Sequence, residues 1–423
     1  MGIFINARRD MVHVEVSGKR NVTASGVQRV IVEGKDWGPA ITKVLIELND
    51  YELQPGTFDA SYFTVVETAM QITNKRDIVD AYVCDENGHE VNHASKYIAL
   101  VMWVSPEVGN PMHFNPQTIS GEWHTAYSLD TRLVKEISID EHLTLTTMFL
   151  NKKVSLTSIY SRVTPEVNQF KFESNDTYHY AYFVPKTQKD SYPLVIWLHG
   201  GGEGGTDLYK CILGNKVVSL IKDDFQNCFD GAYILVPQAK TYWMEGYGTF
   251  DSKLQFTPSG KNSDYTESLM ALIQDFAGKH PIDPNRIIVG GCSNGGYMAL
   301  QLMVDYPNYF AAGYPICEGM LDSSITDEQI NALAASKTGV YFIYSMDDPV
   351  FNHKELTSIP TYNRLKKAGG NVHVSQFNEI VETYLDQKGE EYTHQYSGHF
   401  SWVKFFANEC EGVFEALSQE KKL

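Results

Sequence analysis

The chain reads as an all-β sandwich followed by an α/β domain built on a mostly parallel sheet. Three observations carry this. Alternating strand-like segments run through about residue 160, apolar strands separated by amphipathic stretches follow, and one glycine-flanked serine sits where such a strand meets a helix. With 423 residues, 43% of them hydrophobic and 21% charged, there is apolar material for a full core and length for two domains.

Residues 1–160 form the first unit. "VHVEV" (12–16) puts three valines on one face, and "VQRVIV", "KVLIEL", "YFTVVET", "DAYVC", "KYIALVMWV" and "LTLTTM" follow, many separated by Gly, Asn or Asp. About seven strands without a helix suggest a sandwich of immunoglobulin-like type, although a barrel has a similar pattern. In this unit "HEVNH" (His89 to His93) satisfies H-E-x-x-H, a zinc signature that works only on a helix. It follows Asn87-Gly88, a hairpin signal, and on an extended strand its histidines stand about 13 Å apart, too far to share one ion. No metal ligand is assigned.

Residues 161–423 form the second unit. "PLVIWLHG", "GAYILVPQ" and "NRIIVGG" read as buried strands, with Leu269, Leu272, Ile273 and Phe276 at helical spacing between the last two. "TGVYFIYSM" and "NVHVSQF" add two strands around a helical stretch at "IPTYNRLKKAGG". Strand and helix alternating in this way imply a mostly parallel sheet covered on both faces.

The formal charge of -17 repels polyanions, which argues against a nucleic-acid partner. Apolar runs such as "YIALVMWV" fall short of the roughly 18 residues of a membrane span, and "MGIFINARRD" lacks the apolar core of a leader, so the chain as given is expected to be soluble. The six cysteines include no C-x-x-C, so they suggest no zinc site.

Gly291-Cys292-Ser293-Asn294-Gly295 matches G-x-S-x-G between a β-branched run and an apolar helical pattern. A serine on such a turn projects its hydroxyl above the sheet, as a nucleophile requires. Attack on a carbonyl creates an oxyanion that needs backbone donors. The N–H of Asn294 is one candidate, and "WLHGGGEGG" offers Gly201 and Gly202. The same loop fits G-x-G-x-x-G at Gly200, Gly202 and Gly205, the dinucleotide fingerprint, but no βαβ unit with an acidic ribose ligand accompanies it.

A serine nucleophile needs an imidazole base held by a carboxylate. "SMDDPV" delivers two aspartates after a strand; Asp348 is preferred and Asp347 is the alternative. Among the later histidines, His353 follows the acid too soon and His373 lies inside a strand. The remaining loop "EYTHQYSGHFSWVKFF" supplies His399 as base, with His394 as the alternative.

With these motifs, and with "YPNYFAAGYPICEG", the chain resembles bacterial two-domain esterases of the α/β-hydrolase superfamily, related to prolyl-oligopeptidase-type hydrolases, with an immunoglobulin-like amino-terminal domain. The likeness is specific over about Tyr180 to Cys410. It implies an α/β-hydrolase fold, no cofactor, and Ser293, Asp348 and His399 as the catalytic set. Relatives set the acid in H-[GA]-x-x-D, whereas this chain has Tyr344-Ser345-Met346-Asp347-Asp348. Carboxylester hydrolysis is the expected activity, on simple acyl, feruloyl or acetyl-xylan esters, with a serine peptidase or an inert carbohydrate-binding protein as alternatives. Secretion or a cell-envelope location is in keeping with the resemblance. The aromatic loop Thr241 to Phe256 nominates Trp243 and Tyr247 for the substrate pocket, with the alternative that its rings only pin the loop down, and Glu318 is placed near it by topology without a defined role. Cys292 and Cys317 end neighbouring strands, a separation compatible with either a disulfide or two buried thiols. The sequence leaves the oligomeric state open.

Overall fold

The computed structural model describes residues 18–115, 117–251 and 256–422. The strand expected at Val12–Val16 and residues 252–255 of the aromatic loop lie outside the described residues.

The first half is all β. The long strand Arg20–Lys35 pairs antiparallel with Gly38–Leu48 and parallel with Leu143–Leu150, and the sheet continues through Tyr97–Met102 to Ile78–Cys84. A second sheet centres on Phe63–Ala69, flanked by Ile72–Arg76 and Tyr127–Leu133. Alternation decides the packing, because successive side chains of a strand point to opposite faces. Val44, Ile46 and Leu48 join the core shared with Val65 and Leu129 of the second sheet, while Ile31, Leu45, Cys84 and Ala99 form a cluster on the far face. Buried Arg76 is paired with Glu67, which also accepts from Tyr127 Oη at 2.9 Å. The short strand Arg162–Val163 pairs with Val30–Ile31, so the first sheet extends just past residue 160. The hairpin Met112–Asn115/Ser120–Trp123 stands apart from both sheets. The segment around His89 and His93 runs through turns and isolated bridges, with His89 Nδ1 3.1 Å from Asp85.

The second half is built on an eight-stranded sheet. Its order is Lys171–Ser174, His179–Phe183, Tyr233–Gln238, Tyr192–Leu198, Ile282–Cys292, Ala312–Ile316, Gly339–Ser345 and Val372–Phe377. The pairings on either side of His179–Phe183 are antiparallel and the other five parallel, so the sheet is mixed. The antiparallel edge begins with a short hairpin, which needs no crossover helix. Both faces are buried. Leu194, Ile196 and Leu198 pack with the helices Thr266–Lys279 and Asn294–Asp305, whereas Val195 and Trp197 belong to a cluster continuous with the core of the first half.

The halves are therefore docked through one apolar core. Polar contacts reinforce it: Lys216 meets Asp36 at 2.7 Å, and Tyr384 Oη donates to the same carboxylate at 2.7 Å. Tyr384 lies on a two-stranded unit, Ile380–Leu385 with Glu391–Tyr396. The sequence expectation treats this last segment as loop; its alternation of exposed and half-buried residues is that of a strand with only one partner.

Candidate active site

The strand Ile282–Cys292 ends at Ser293, whose φ of 54° and ψ of -112° lie outside the usual basins for a non-glycine residue. Neighbours hold it there. Its N–H donates to Ile316 O at 2.8 Å and approaches Cys317 Sγ at 3.2 Å. The flanking glycines have a steric cause: a Cβ on Gly291 or Gly295 would stand 2.2 or 1.9 Å from Leu198 O. Only hydrogen fits between the neighbouring strand and the turn.

Two further strand ends bring the partners of Ser293. His399 Nε2 lies 2.8 Å from Ser293 Oγ, and His399 Nδ1 lies 2.8 Å from Asp348 Oδ2. Because a carboxylate only accepts, Nδ1 carries the proton and Nε2 is free to accept from the serine. Asp348 follows the strand Gly339–Ser345 and is almost wholly buried. Burial alone would raise its pKa, but hydrogen bonds from His353 and His399 outweigh that and hold it well below the usual carboxylate range. Phe351 and Trp402 pack on the His399 ring at centroid distances of 5.6 and 6.1 Å.

The alternative residues are engaged elsewhere. Asp347 Oδ1 accepts from Ser345 Oγ at 2.5 Å, His394 faces Glu107 at 3.2 Å, and His373 stacks on Tyr341.

Gly201 and Gly202 open a short 3-10 turn after the strand Tyr192–Leu198, and Asn294 is the first residue of its helix. N–H groups at such positions have no partner inside their own helix. All three residues line one cavity with Ser293 and His399. The glycine loop is braced from below. His199, pushed down to about 4 by burial, stays neutral, donating from Nδ1 to Gly200 O at 2.7 Å and accepting from Ala239 N–H at 3.0 Å. Glu203 receives Gly200 N–H at 2.7 Å.

The cavity measures about 600 Å³, within the range of small-molecule sites. One wall comes from the α/β half, with Tyr242, Val350 and Phe400. The other comes from the β half, with Met112, Phe114 and Ile119 of the separate hairpin and with Trp37. That hairpin is anchored by Trp123 Nε1, which donates to Asp207 at 2.6 Å, and by Lys210, which donates to Ser120 Oγ and Gly121 O at 3.1 and 3.0 Å.

Three expectations need correction. Trp243, Tyr247 and Glu318 are buried and do not line the cavity; among the described residues of the loop, Tyr242 does. Trp243 stacks against Tyr178 and His199, and Tyr247 against Tyr297 and Phe256, because large rings beside an apolar helix gain more from burial than from facing the opening. Cys292 and Cys317 are free thiols, like the other cysteines, and Cys317 Sγ faces the Ser293 N–H. Sequence reasoning also passes over His353, which touches the acid, and the β-half wall, which carries no local motif.

As a chemical device, the arrangement pairs a hydroxyl with a base and an orienting acid, beside backbone donors and an apolar cavity. Among the described residues no cluster suited to a metal ion is present, and no helix is long and apolar enough to cross a membrane.

Comparison with known proteins agrees with this architecture. Residues 28–163 match the esterase Ig-like N-terminal domain family and residues 179–387 the phospholipase/carboxylesterase family. The structure of a thermostable esterase superposes with a TM-score of 0.75 at 21% identity, over 93% of this chain and 99% of that one, which shows a shared two-part fold. The feruloyl esterase module from Clostridium thermocellum, complexed with sinapinate, matches at a TM-score of 0.40 and 12% identity over 60% of this chain and 89% of that one. A fungal esterase from Rhizomucor miehei matches at 0.39 and 11%, over 59% and 82%. No curated protein matches the chain.

Proposed function

Since the chain belongs to the two-domain esterases that join an immunoglobulin-like domain to an α/β-hydrolase domain, we propose that it hydrolyses carboxylic esters by a serine mechanism. The observation that carries the reading is the unbroken pair of 2.8 Å contacts from Ser293 to His399 to Asp348 at the cavity wall. Ser293 Oγ attacks the ester carbonyl while His399 Nε2 takes its proton. Asp348 keeps the ring oriented and stabilises the imidazolium. The N–H groups of Gly201, Gly202 and Asn294 receive the oxyanion. Collapse breaks the ester bond, His399 returns the proton to the leaving alcohol, and water deacylates Ser293 by the reverse sequence. Besides the substrate and water, these steps draw on protein groups alone. Residues 1–160 would serve as the β domain, with a few residues of overlap, and 161–423 as the catalytic domain.

The cavity supports a substrate with an apolar acyl or aryl part, since Phe114, Ile119, Met112 and Tyr242 face it and Lys210, the one lysine among the described lining residues, is engaged by backbone and serine oxygens. Aryl or medium-chain acyl esters suit such a lining better than bare acetylated polysaccharide. The test is a panel of p-nitrophenyl, feruloyl and acetyl-xylan esters beside a peptide anilide, with fluorophosphonate labelling of Ser293. Labelling with ester turnover is the expected result; anilide turnover exceeding ester turnover would make the protein a peptidase, and absence of both would leave it a binding protein.

A further inference from the structure

The buried side of the acid carries more than a single imidazole. Asp348 Oδ2 receives His399 Nδ1 at 2.8 Å and, from behind, His353 Nε2 at 2.9 Å. Asp348 Oδ1 accepts the N–H groups of Val350 at 2.7 Å and Phe351 at 3.2 Å. His353 is itself buried, its ring stacked on Tyr344 at 5.1 Å. Its Nδ1 faces the hydroxyls of Thr357 at 2.9 Å and Ser358 at 3.1 Å. Ser358 Oγ in turn lies 2.8 Å from Oε1 of Glu318, whose Oε2 accepts Met320 N–H at 2.6 Å. A continuous line of hydrogen bonds thus runs from Ser293 through His399, Asp348, His353 and Ser358 to Glu318.

We infer that His353 is a positioning residue for ester hydrolysis, a neutral imidazole whose Nε2–H fixes the Asp348 carboxylate for His399, kept in that form by Ser358 and a protonated Glu318. The inference rests on the serine mechanism proposed above. Its logic is one of proton placement. Asp348 can only accept, so Nε2 of His353 must carry a proton. Nδ1 of His353 is then left to accept from the Thr357 or the Ser358 hydroxyl, and Ser358 can turn its own proton to the ring when the Glu318 carboxyl holds one, so the ring carries no charge. Burial pushes the Glu318 carboxyl up to about 8, in keeping with that state.

The neutrality matters. A cationic His353 would compete for the Asp348 charge, and less of it would stabilise the imidazolium that His399 becomes when Ser293 attacks. A neutral donor fixes the carboxylate in place and leaves its charge directed at His399. The other ionisable groups facing this line are the Cys317 thiol, the Tyr344 and Tyr247 phenols, and Asp322, which is paired with Arg364 at 3.0 Å.

The test measures kcat, KM, the pH profile of kcat/KM and thermal stability with a p-nitrophenyl ester. His353→Phe keeps the ring stack and removes the donor. Its kcat should fall by up to about 10²-fold, the scale of a displaced catalytic group, with KM little changed. The acid limb of kcat/KM should move to higher pH, because an Asp348 with fewer donors holds the His399 proton more strongly. His353→Gln, which restores an N–H donor, should recover most of kcat and return the limb toward the wild-type position. Glu318→Gln mimics a protonated carboxyl and should keep both kcat and the limb. A folded His353→Phe enzyme with kcat within twofold of wild type and an unmoved acid limb would overturn the positioning role. A shifted limb or a large kcat loss in Glu318→Gln would overturn the neutral imidazole. Should His353→Phe fail to fold, His353→Leu, which also lacks the donor, takes its place under the same two outcomes. Ser293→Ala run in parallel separates the two readings, since turnover surviving that change would sink the serine mechanism itself.

Discussion

The two walls of the cavity are built on different principles. On the α/β wall, Ser293, Asp348 and His399 follow strands or short turns whose backbone is paired, and their side chains are locked by short hydrogen bonds. On the β wall, Met112, Phe114 and Ile119 stand on a detached hairpin, held to the other half by a tryptophan N–H and a lysine. Proton transfer tolerates little displacement, so its groups sit on the rigid layer, whereas an apolar contact surface tolerates substitution at modest cost. Under the proposed serine mechanism, chemistry and selectivity would fall to different halves, and changes on one wall should leave the other's property standing.

The sharpest way to break that division is Ser293→Ala. Turnover should fall by orders of magnitude, toward the ~10⁶ known for a comparable serine mechanism, with Tm nearly unchanged. A surviving rate above about a tenth of wild type would place the chemistry elsewhere. Next in size is Gly295→Ala, which forces a methyl against Leu198 O. Overpacking of this kind costs about 1–3 kcal/mol, and calorimetry should show a lower Tm together with lower activity; an unchanged Tm would mean the turn is looser than its geometry.

Phe114→Ala probes the opposite wall. It should lower kcat/KM for aryl and hexanoyl esters about tenfold, the equivalent of losing part of a buried phenylalanine contact, while acetyl ester hydrolysis stays within about twofold. Equal losses on both would assign the hairpin to the chemistry. The smallest effect concerns Glu318, whose pKa is raised from 4.5 to about 8 by burial. Below about pH 4.5 both folded and unfolded states hold the proton and the shift contributes nothing. As pH rises from there toward 8, the unfolded chain ionises and the folded one does not, so the wild type loses stability. Glu318→Gln lacks that term, and its Tm advantage should open between pH 5 and pH 8. A gap that closes with rising pH would show Glu318 ionised in the folded protein.

Much of the proposed serine mechanism was legible along the chain. G-x-S-x-G between a β-branched run and a helical pattern is a local steric statement, because glycines two residues either side are demanded by Leu198 O wherever that turn forms. The choices of Asp348 over Asp347 and His399 over His394 follow strand ends, and both preferred residues meet at 2.8 Å. Aromatic content left two outcomes open: Trp243 and Tyr247 are legible as large apolar groups, but whether such a ring faces a cavity or a helix depends on neighbours distant in sequence. The contact of His353 with Asp348 lies only five residues away and still escaped notice, because nothing in spacing alone tells which side of a carboxylate a loop returns to.

Period, turn chemistry and motif spacing are properties of short segments. They suffice to determine a β half, an α/β half and the residue types poised at strand ends. Tertiary packing decided the rest: docking of the halves set which hairpin closes the cavity, and packing within the α/β half set which aromatics vanish into the core and that Cys292 and Cys317 remain thiols. Those outcomes depend on surfaces that meet only after folding, where burial and complementarity between segments distant in sequence set the energies, and no local pattern encodes them.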